Sequence, residues 1–347
     1  MSNMDMPTSF PNTSFPNTVE KDCNHSFLNN WNNWVPPYIY VITALGIPLN
    51  LLVLLVFLLH KKKCSATEIY LCNMAAADLL LMVFLPFWGV YQANYHVWTF
   101  GGPTCTVVSL LMVMNYNCSI YFLVLVCADR FLALVYPLTQ CKLRRRKYAM
   151  LGCFLAWCLG LLLNIPTLMC KRAILYDNKT FSDGIEEYTC QWNCSPDFYF
   201  THEVIQTIVA FVIPSLIILF CTVKILQVLR ARPSNEDSTL QKEHKATVLI
   251  LSVLLAFFIC WLPFSLTRMI EQAVRYKLIR ETCSLIQHLY ICRLLFVNFG
   301  FFNSVLNPIL YVIVGKNFRK KMREVVGGRE SFKIPSTLFT TSTVRGS

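Results

Sequence analysis

Charge is scarce in this chain. Only 14% of its 347 residues are Asp, Glu, Lys or Arg, while 55% are hydrophobic; soluble globular domains carry about 25% charged residues. An ordinary water-soluble domain could not hide that much apolar surface, and intrinsic disorder is excluded by the same balance. Other features are missing too. No Cys or His pair has metal-site spacing. No nucleophile stands beside a base and no phosphate loop is present, so nothing supports an enzyme. No internal repeat of the transporter kind is visible. The polar N-terminus lacks the basic, apolar and small-residue succession of a cleaved leader.

What the chain does have is long apolar runs. Seven are found, at Tyr38–Leu59, Ile69–Ala93, Thr104–Ala128, Tyr148–Met169, Val204–Val223, Ala246–Thr267 and Leu294–Gly315. A helix of roughly twenty residues crosses ~30 Å of hydrocarbon. The connections are short, which favours one bundle over separate domains. The expected fold is an all-α membrane protein, a seven-transmembrane helix bundle over residues 38–315. A tail (1–37) precedes it, and a short amphipathic helix (316–326) and a Ser/Thr-rich tail (327–347) follow.

The formal charge of +12 orients the bundle. Lys and Arg crowd Lys61–Lys63, Lys142–Lys147, Arg230–Lys245 and Lys316–Arg323, which follow the first, third, fifth and seventh spans. Cytoplasmic loops carry the excess of Lys and Arg, so the N-terminus is expected outside and the C-terminus inside a plasma membrane. The basic residues flank membrane spans and no aromatic-lined groove accompanies them, which argues against nucleic-acid binding. Acidic residues including Asp177, Asp183, Glu186, Glu187, Glu203, Glu271 and Glu281 gather on the other face. Glycosylation sequons at Asn12, Asn24 and Asn178 fall there as well.

Sixteen cysteines form two populations. Those within spans, such as Cys72, Cys118, Cys127, Cys153, Cys221 and Cys260, read as small apolar fillers. Cys23, Cys105, Cys190, Cys194 and Cys283 lie on the oxidising side, where disulfides persist. Bridges Cys105–Cys190 and Cys23–Cys283 would staple the outer mouth, with Cys194 an alternative to Cys190.

Short motifs then fall in register. The third span ends Asp129-Arg130-Phe131, the sixth holds Cys260-Trp261-Leu262-Pro263 and the seventh ends Asn307-Pro308-Ile309-Leu310-Tyr311. Asn50, Asp78, Trp157 and Pro214 stand in the first, second, fourth and fifth spans. From about Tyr38 to Arg323 the chain resembles the rhodopsin-class G-protein-coupled receptors. An intramembrane carboxylate such as Asp78 is costly unless paired or solvated. The resemblance implies that Asp78 binds a sodium ion with Asn115, Ser119, Asn303 and Ser304, and oxygen donors suit a hard cation. It also implies that Asp129 and Arg130 lock an inactive state. Trp261, Pro263, Asn307, Pro308 and Tyr311 are the implied switch elements, the two prolines kinking their helices. Phe131 and Thr222 stand where many members carry Tyr.

No acidic residue lies between Val108 and Ser119, so the amine-receptor salt bridge is missing. The segments Glu68–Leu79, Leu85-Pro86-Phe87-Trp88 and Trp98-Thr99-Phe100-Gly101 look like those of peptide receptors. Ile225–Arg230 and Tyr311–Lys316 resemble the kinin (bradykinin) receptors more closely than the angiotensin or chemokine receptors. The resemblance implies ligand contacts at Glu271, Trp88 and Trp261. It also marks three departures at the mouth: Tyr290 in place of a second acid, an added Arg293, and Val113 at the position that separates the kinin receptor subtypes. The implied ligand is a short cationic peptide, attracted by an acidic mouth. The implied partners are a heterotrimeric G protein of the Gq type acting through phospholipase C and calcium, arrestin and receptor kinases at the phosphorylatable tail, and anionic membrane lipid under Lys316–Val326. A non-signalling peptide scavenger is the alternative, against which Asp129-Arg130 and Asn307–Tyr311 argue. A channel or transporter would need broken spans and a polar pathway.

Overall fold

The computed structural model describes residues 33–60, 64–136, 146–175, 186–231 and 238–326. Asn12, Cys23, Asn24 and Asn178 lie outside these residues. Among the described residues, seven helices are long and apolar enough to cross a membrane. They are α1 (Val35–Leu59), α2 (Ala66–Ala93), α3 (Gly102–Val135), α4 (Arg146–Leu163), α5 (Pro196–Val228), α6 (Ser238–Arg275) and α7 (Cys283–Ile313). An eighth, α8 (Lys316–Val326), follows the bundle. Its burial pattern is that of a membrane bundle. Leu58, Phe154, Leu216 and Leu255 point outward, whereas Asn50, Asp78, Ser304 and Asn307 are buried at the centre.

Local chemistry sets the helix ends. Ser65 and Glu68 form a reciprocal cap on α2: Ser65 Oγ accepts the Glu68 amide and Glu68 Oε2 accepts the Ser65 amide at 2.9 Å. Before α3 the chain turns at Gly101, whose φ of +80° suits glycine. The Gly101 carbonyl accepts the Trp98 indole N–H at 2.8 Å, and Pro103 sits in the first turn. α4 is shorter than the apolar run Tyr148–Met169, because the chain breaks at Asn164 and restarts as a short helical turn, Ile165–Cys170, with Pro166 near its start. α5 begins before the expected Val204, at a Ser195 cap followed by Pro196. It widens to a π-helical turn at Ile208–Val212, just ahead of Pro214, which has no amide to continue the regular ladder. α7 begins at Cys283, capped by Thr282, well before Leu294, so it projects past the apolar slab.

A two-stranded antiparallel hairpin, β1 (Lys171–Leu175) with β2 (Tyr188–Trp192), covers one end of the bundle, with Ala173 opposite Cys190. Cys105–Cys190 ties it to the start of α3. Cys170–Cys194 closes its base, which settles the choice at Cys105 in favour of Cys190. Sequence reading missed Cys170, because the apolar run it adjoins hides it. Cys283 is also disulfide-bonded; its expected partner, Cys23, is outside the described residues.

At the opposite, basic end α8 lies against α1 and α2. Phe318 packs between Phe57 and Tyr311. Lys321 pairs with Glu68 at 2.9 Å, and His60 Nε2 meets Glu324 at 2.9 Å.

Close packing within the bundle centres on Trp261. A Cβ on Gly300 would come within 2.6 Å of its ring, whereas one on Gly102 would meet nothing within 4 Å. Gly300→Ala is therefore expected to destabilise the protein by about 1–3 kcal/mol through overpacking. Gly102→Ala should leave the thermal midpoint of the detergent-solubilised protein nearly unchanged. Equal midpoints for the two variants would refute this packing argument.

Candidate functional site

Three polar constellations lie along the bundle axis. At its middle, Asp78 on α2 is fully buried and accepts three hydrogen bonds. Asn115 Nδ2 of α3 donates to Oδ1 at 2.8 Å, Ser304 Oγ of α7 to the same oxygen at 2.7 Å, and Asn307 Nδ2 to Oδ2 at 3.0 Å. Asn50 of α1 reaches the Ser304 carbonyl at 2.9 Å, so four helices meet here. The oxygens Ser119 Oγ, Asn303 Oδ1 and Asn307 Oδ1 are buried and make no hydrogen bond among the described residues.

At the basic end, Arg130 Nη2 sits 3.1 Å from Asp129 Oδ2 and donates to Thr67 Oγ1, which donates to the same Asp129 oxygen at 3.2 Å. The triangle joins α3 to the first turn of α2. Tyr311 of α7 donates to Met74 Sδ of α2 at 3.5 Å.

The third constellation lies beneath the disulfide-bonded hairpin. A cavity of about 210 Å³ opens there, lined by the apolar Trp88, Met112, Val113, Phe264 and Val297 and by the charged Lys171, Glu203, Arg268 and Arg293. Trp192 of β2 lies over His202 and Tyr199, at ring distances of 5.3 and 5.0 Å. An adjoining smaller cavity adds Glu271, Gln272 and Arg275. Two ion pairs cross between helices: Glu203 of α5 with Arg268 of α6, and Glu271 of α6 with Arg293 of α7 at 3.7 Å. Burial and the neighbouring Arg293 push the Lys171 ammonium down to about 7, against the pull of Glu203.

Of the expected ligand residues, Trp88, Val113, Glu271 and Arg293 line these cavities. Trp261 sits one layer deeper, 4.8 Å from the Tyr116 ring and 5.9 Å from that of Phe264, which itself lines the cavity. Tyr290 lines neither cavity. Lys171 and Arg268 escaped the sequence reading. Arg268 stands three residues before Glu271, the spacing that puts both on one helix face, and that signal was there to be used.

The bundle, its axial motifs and its covered cavity define the class. The chain belongs to the 7 transmembrane receptor (rhodopsin) family, whose model matches residues 49–311. It is a multi-pass membrane receptor, not an enzyme. Within the family it is similar to the B2 bradykinin receptor of Oryctolagus cuniculus, 39% identical over 303 residues that span 85% of this chain and 80% of that one. The B1 bradykinin receptor of Macaca mulatta is 34% identical, over 84% of this chain and 82% of its own. The C-X-C chemokine receptor type 2 of Oryctolagus cuniculus is 32% identical, over 83% and 76%.

Two outcomes follow from these charged residues. Arg268→Gln strands the Glu203 carboxylate and should destabilise by about 1–3 kcal/mol. Glu203→Gln combined with Arg268→Gln should recover at least about 1 kcal/mol of that loss in a thermal double-mutant cycle. Additive effects would mean that the pair is not coupled. Lys171 binds its proton less tightly folded than unfolded, so its contribution to stability rises with pH from about 7 toward its ordinary value near 10.5. Lys171→Met should therefore raise the thermal midpoint at pH 6, and the gain should shrink by pH 10. A gain independent of pH would overturn this assignment.

Proposed function

We propose that the chain is a receptor for a short peptide of the kinin type, with the disulfide-bonded end outside the cell and the basic end in the cytoplasm. The observation that carries the reading is the 39% identity to a B2 bradykinin receptor across 85% of the chain, joined to a cavity of peptide-side-chain size under the hairpin. The similarity to a chemokine receptor is lower and covers no more of the chain. The basic stretches at alternate connections support the orientation.

The residues divide into a binding end and a signalling end. Glu203 and Glu271 offer carboxylates to a cationic peptide group, each exchanging an internal arginine for the incoming one. Trp88, Val113, Phe264 and Val297 give that peptide an apolar seat. Phe264 stands on Trp261, which in turn fills the space against Gly300. A peptide pressing on Phe264 thus acts on a tightly packed layer next to the Pro263 kink. A ligand favours the outward-swung form of α6 only by its differential affinity for that form. At the cytoplasmic end the Asp129–Arg130–Thr67 triangle holds Arg130 in the closed arrangement, and its opening exposes a groove for the G protein. Calcium release through a Gq-type G protein, and arrestin recruitment by a phosphorylated tail, complete the proposed pathway. A sodium ion fits the middle constellation: Asp78 supplies the charge, and Ser119 and Asn303 supply buried oxygens that make no hydrogen bond among the described residues.

The test is intracellular calcium and bradykinin binding in cells that express the chain at their surface. Bradykinin should bind and release calcium, and Glu271→Ala should weaken its potency by about tenfold or more. Absence of binding with verified surface expression would overturn the kinin reading. Binding without calcium would refute the Gq assignment alone.

A further inference from the structure

Toward the hairpin end of the bundle, Tyr40, Tyr95, Tyr188 and Tyr276 are exposed. Their sequence neighbours differ sharply. Tyr40 stands between Ile39 and Val41 in the first apolar run, and Tyr95 between Asn94 and His96. Tyr276 lies between Arg275 and Lys277, with its ring packed on Phe200 at 4.4 Å. Tyr188 alone of the four follows acids, Glu186 and Glu187. Its hydroxyl donates to Glu186 Oε2 at 2.8 Å. That bond raises the phenol above its ordinary value, so Tyr188 by itself carries no charge. The backbone beneath it is anchored. Tyr188 opens β2 opposite Leu175, its carbonyl accepts the Trp98 amide at 2.6 Å, and Cys190 two residues on is buried and bonded to Cys105. Glu186 and Glu187 precede the strand, outside any helix or strand themselves. An enzyme can therefore reach the hydroxyl and both carboxylates without unfolding the bundle.

Given the proposed orientation, with the hairpin end outside the cell, this segment is made in the lumen of the secretory pathway. Transferases there move sulfonate onto exposed tyrosines that have carboxylates close on the N-terminal side. We propose that Tyr188 is a tyrosine O-sulfation site, which sets a fixed anion on the outer end of the hairpin. In the step, Tyr188 Oη attacks the sulfur of an activated sulfate, the mixed sulfuric–phosphoric anhydride of a nucleotide. The bond from sulfur to the bridging oxygen breaks, the nucleotide phosphate leaves with its electron pair, and the phenolic proton passes to a base of the transferase. Nothing is oxidised or reduced. The sulfate ester stays ionised at every physiological pH, unlike the phenol it replaces. It adds to Glu186, Glu187 and Asp197 at the same end of the bundle. Its reach is about the Debye length, ~8 Å in physiological salt. A charge so placed speeds the arrival of a cationic peptide more than it tightens the bound state.

The experiment expresses the chain in cells with an active tyrosine sulfotransferase, fed with radioactive sulfate, and strips N-linked glycans before the receptor is counted. Label should enter the wild type and fall to background in Tyr188→Phe, which loses only an exposed hydroxyl. Glu186→Gln combined with Glu187→Gln should cut labelling severalfold although Tyr188 remains. An unlabelled wild type, or a Tyr188→Phe receptor labelled as strongly, would overturn the proposal. Orientation is read separately, from the reaction of Tyr188→Cys with a membrane-impermeant maleimide on intact cells, against the wild-type background. Reaction without sulfate incorporation defeats the sulfation site alone. No reaction defeats the orientation and the site together. Neither readout uses a peptide, so a sulfated receptor that ignores bradykinin loses only the kinin reading.

Discussion

A carboxylate in the middle of an apolar bundle must be surrounded before the bundle can close. Asp78 meets that demand with an amide from α3 and a hydroxyl and an amide from α7. Asn50 then carries the network to α1. With no water in the slab to take over, each of these bonds matters more than it would on a soluble surface. The register of four helices is thereby set at one level. Pro308 directly follows Asn307 of this network in α7, and Pro263 stands within α6.

The ends are held by different chemistry. Two disulfides fix the hairpin, whose Lys171 and Trp192 line the cavity, so the cavity end is covalently framed. The basic end is held by hydrogen bonds, ion pairs and the packing of Phe318, in the Asp129–Arg130–Thr67 triangle and the contacts of α8. A frame on one side and breakable contacts on the other suit a molecule that must receive a ligand in a fixed shape and change shape at a distance.

Much of this was legible in the sequence. Hydrophobic run length gave the number of spans, because the bilayer imposes a length that soluble cores do not. The ends of the helices were not legible: α5 and α7 continue beyond the slab at Pro196 and Cys283, and α4 stops early at Asn164, where local capping and proline override hydropathy. Asp78 stood out as a lone charge in an apolar run. The pairing of Glu203 with Arg268 joins residues on two helices, and no periodicity in one helix reveals its partner on another. Cys170 was hidden for a related reason, since the end of an apolar run looks the same whether it faces lipid or a disulfide.

Glu68 occupies an unusual junction. Its carboxylate both closes the cap of α2 and holds Lys321 of α8, and its neighbour Thr67 is the residue bonded to Arg130. A single turn of helix is thus a junction shared by both sets of contacts. Any displacement of Arg130 from Thr67, or of Lys321 from Glu68, would load the same few backbone bonds. The Asp129–Arg130–Thr67 triangle and α8 are joined through that turn rather than merely adjacent.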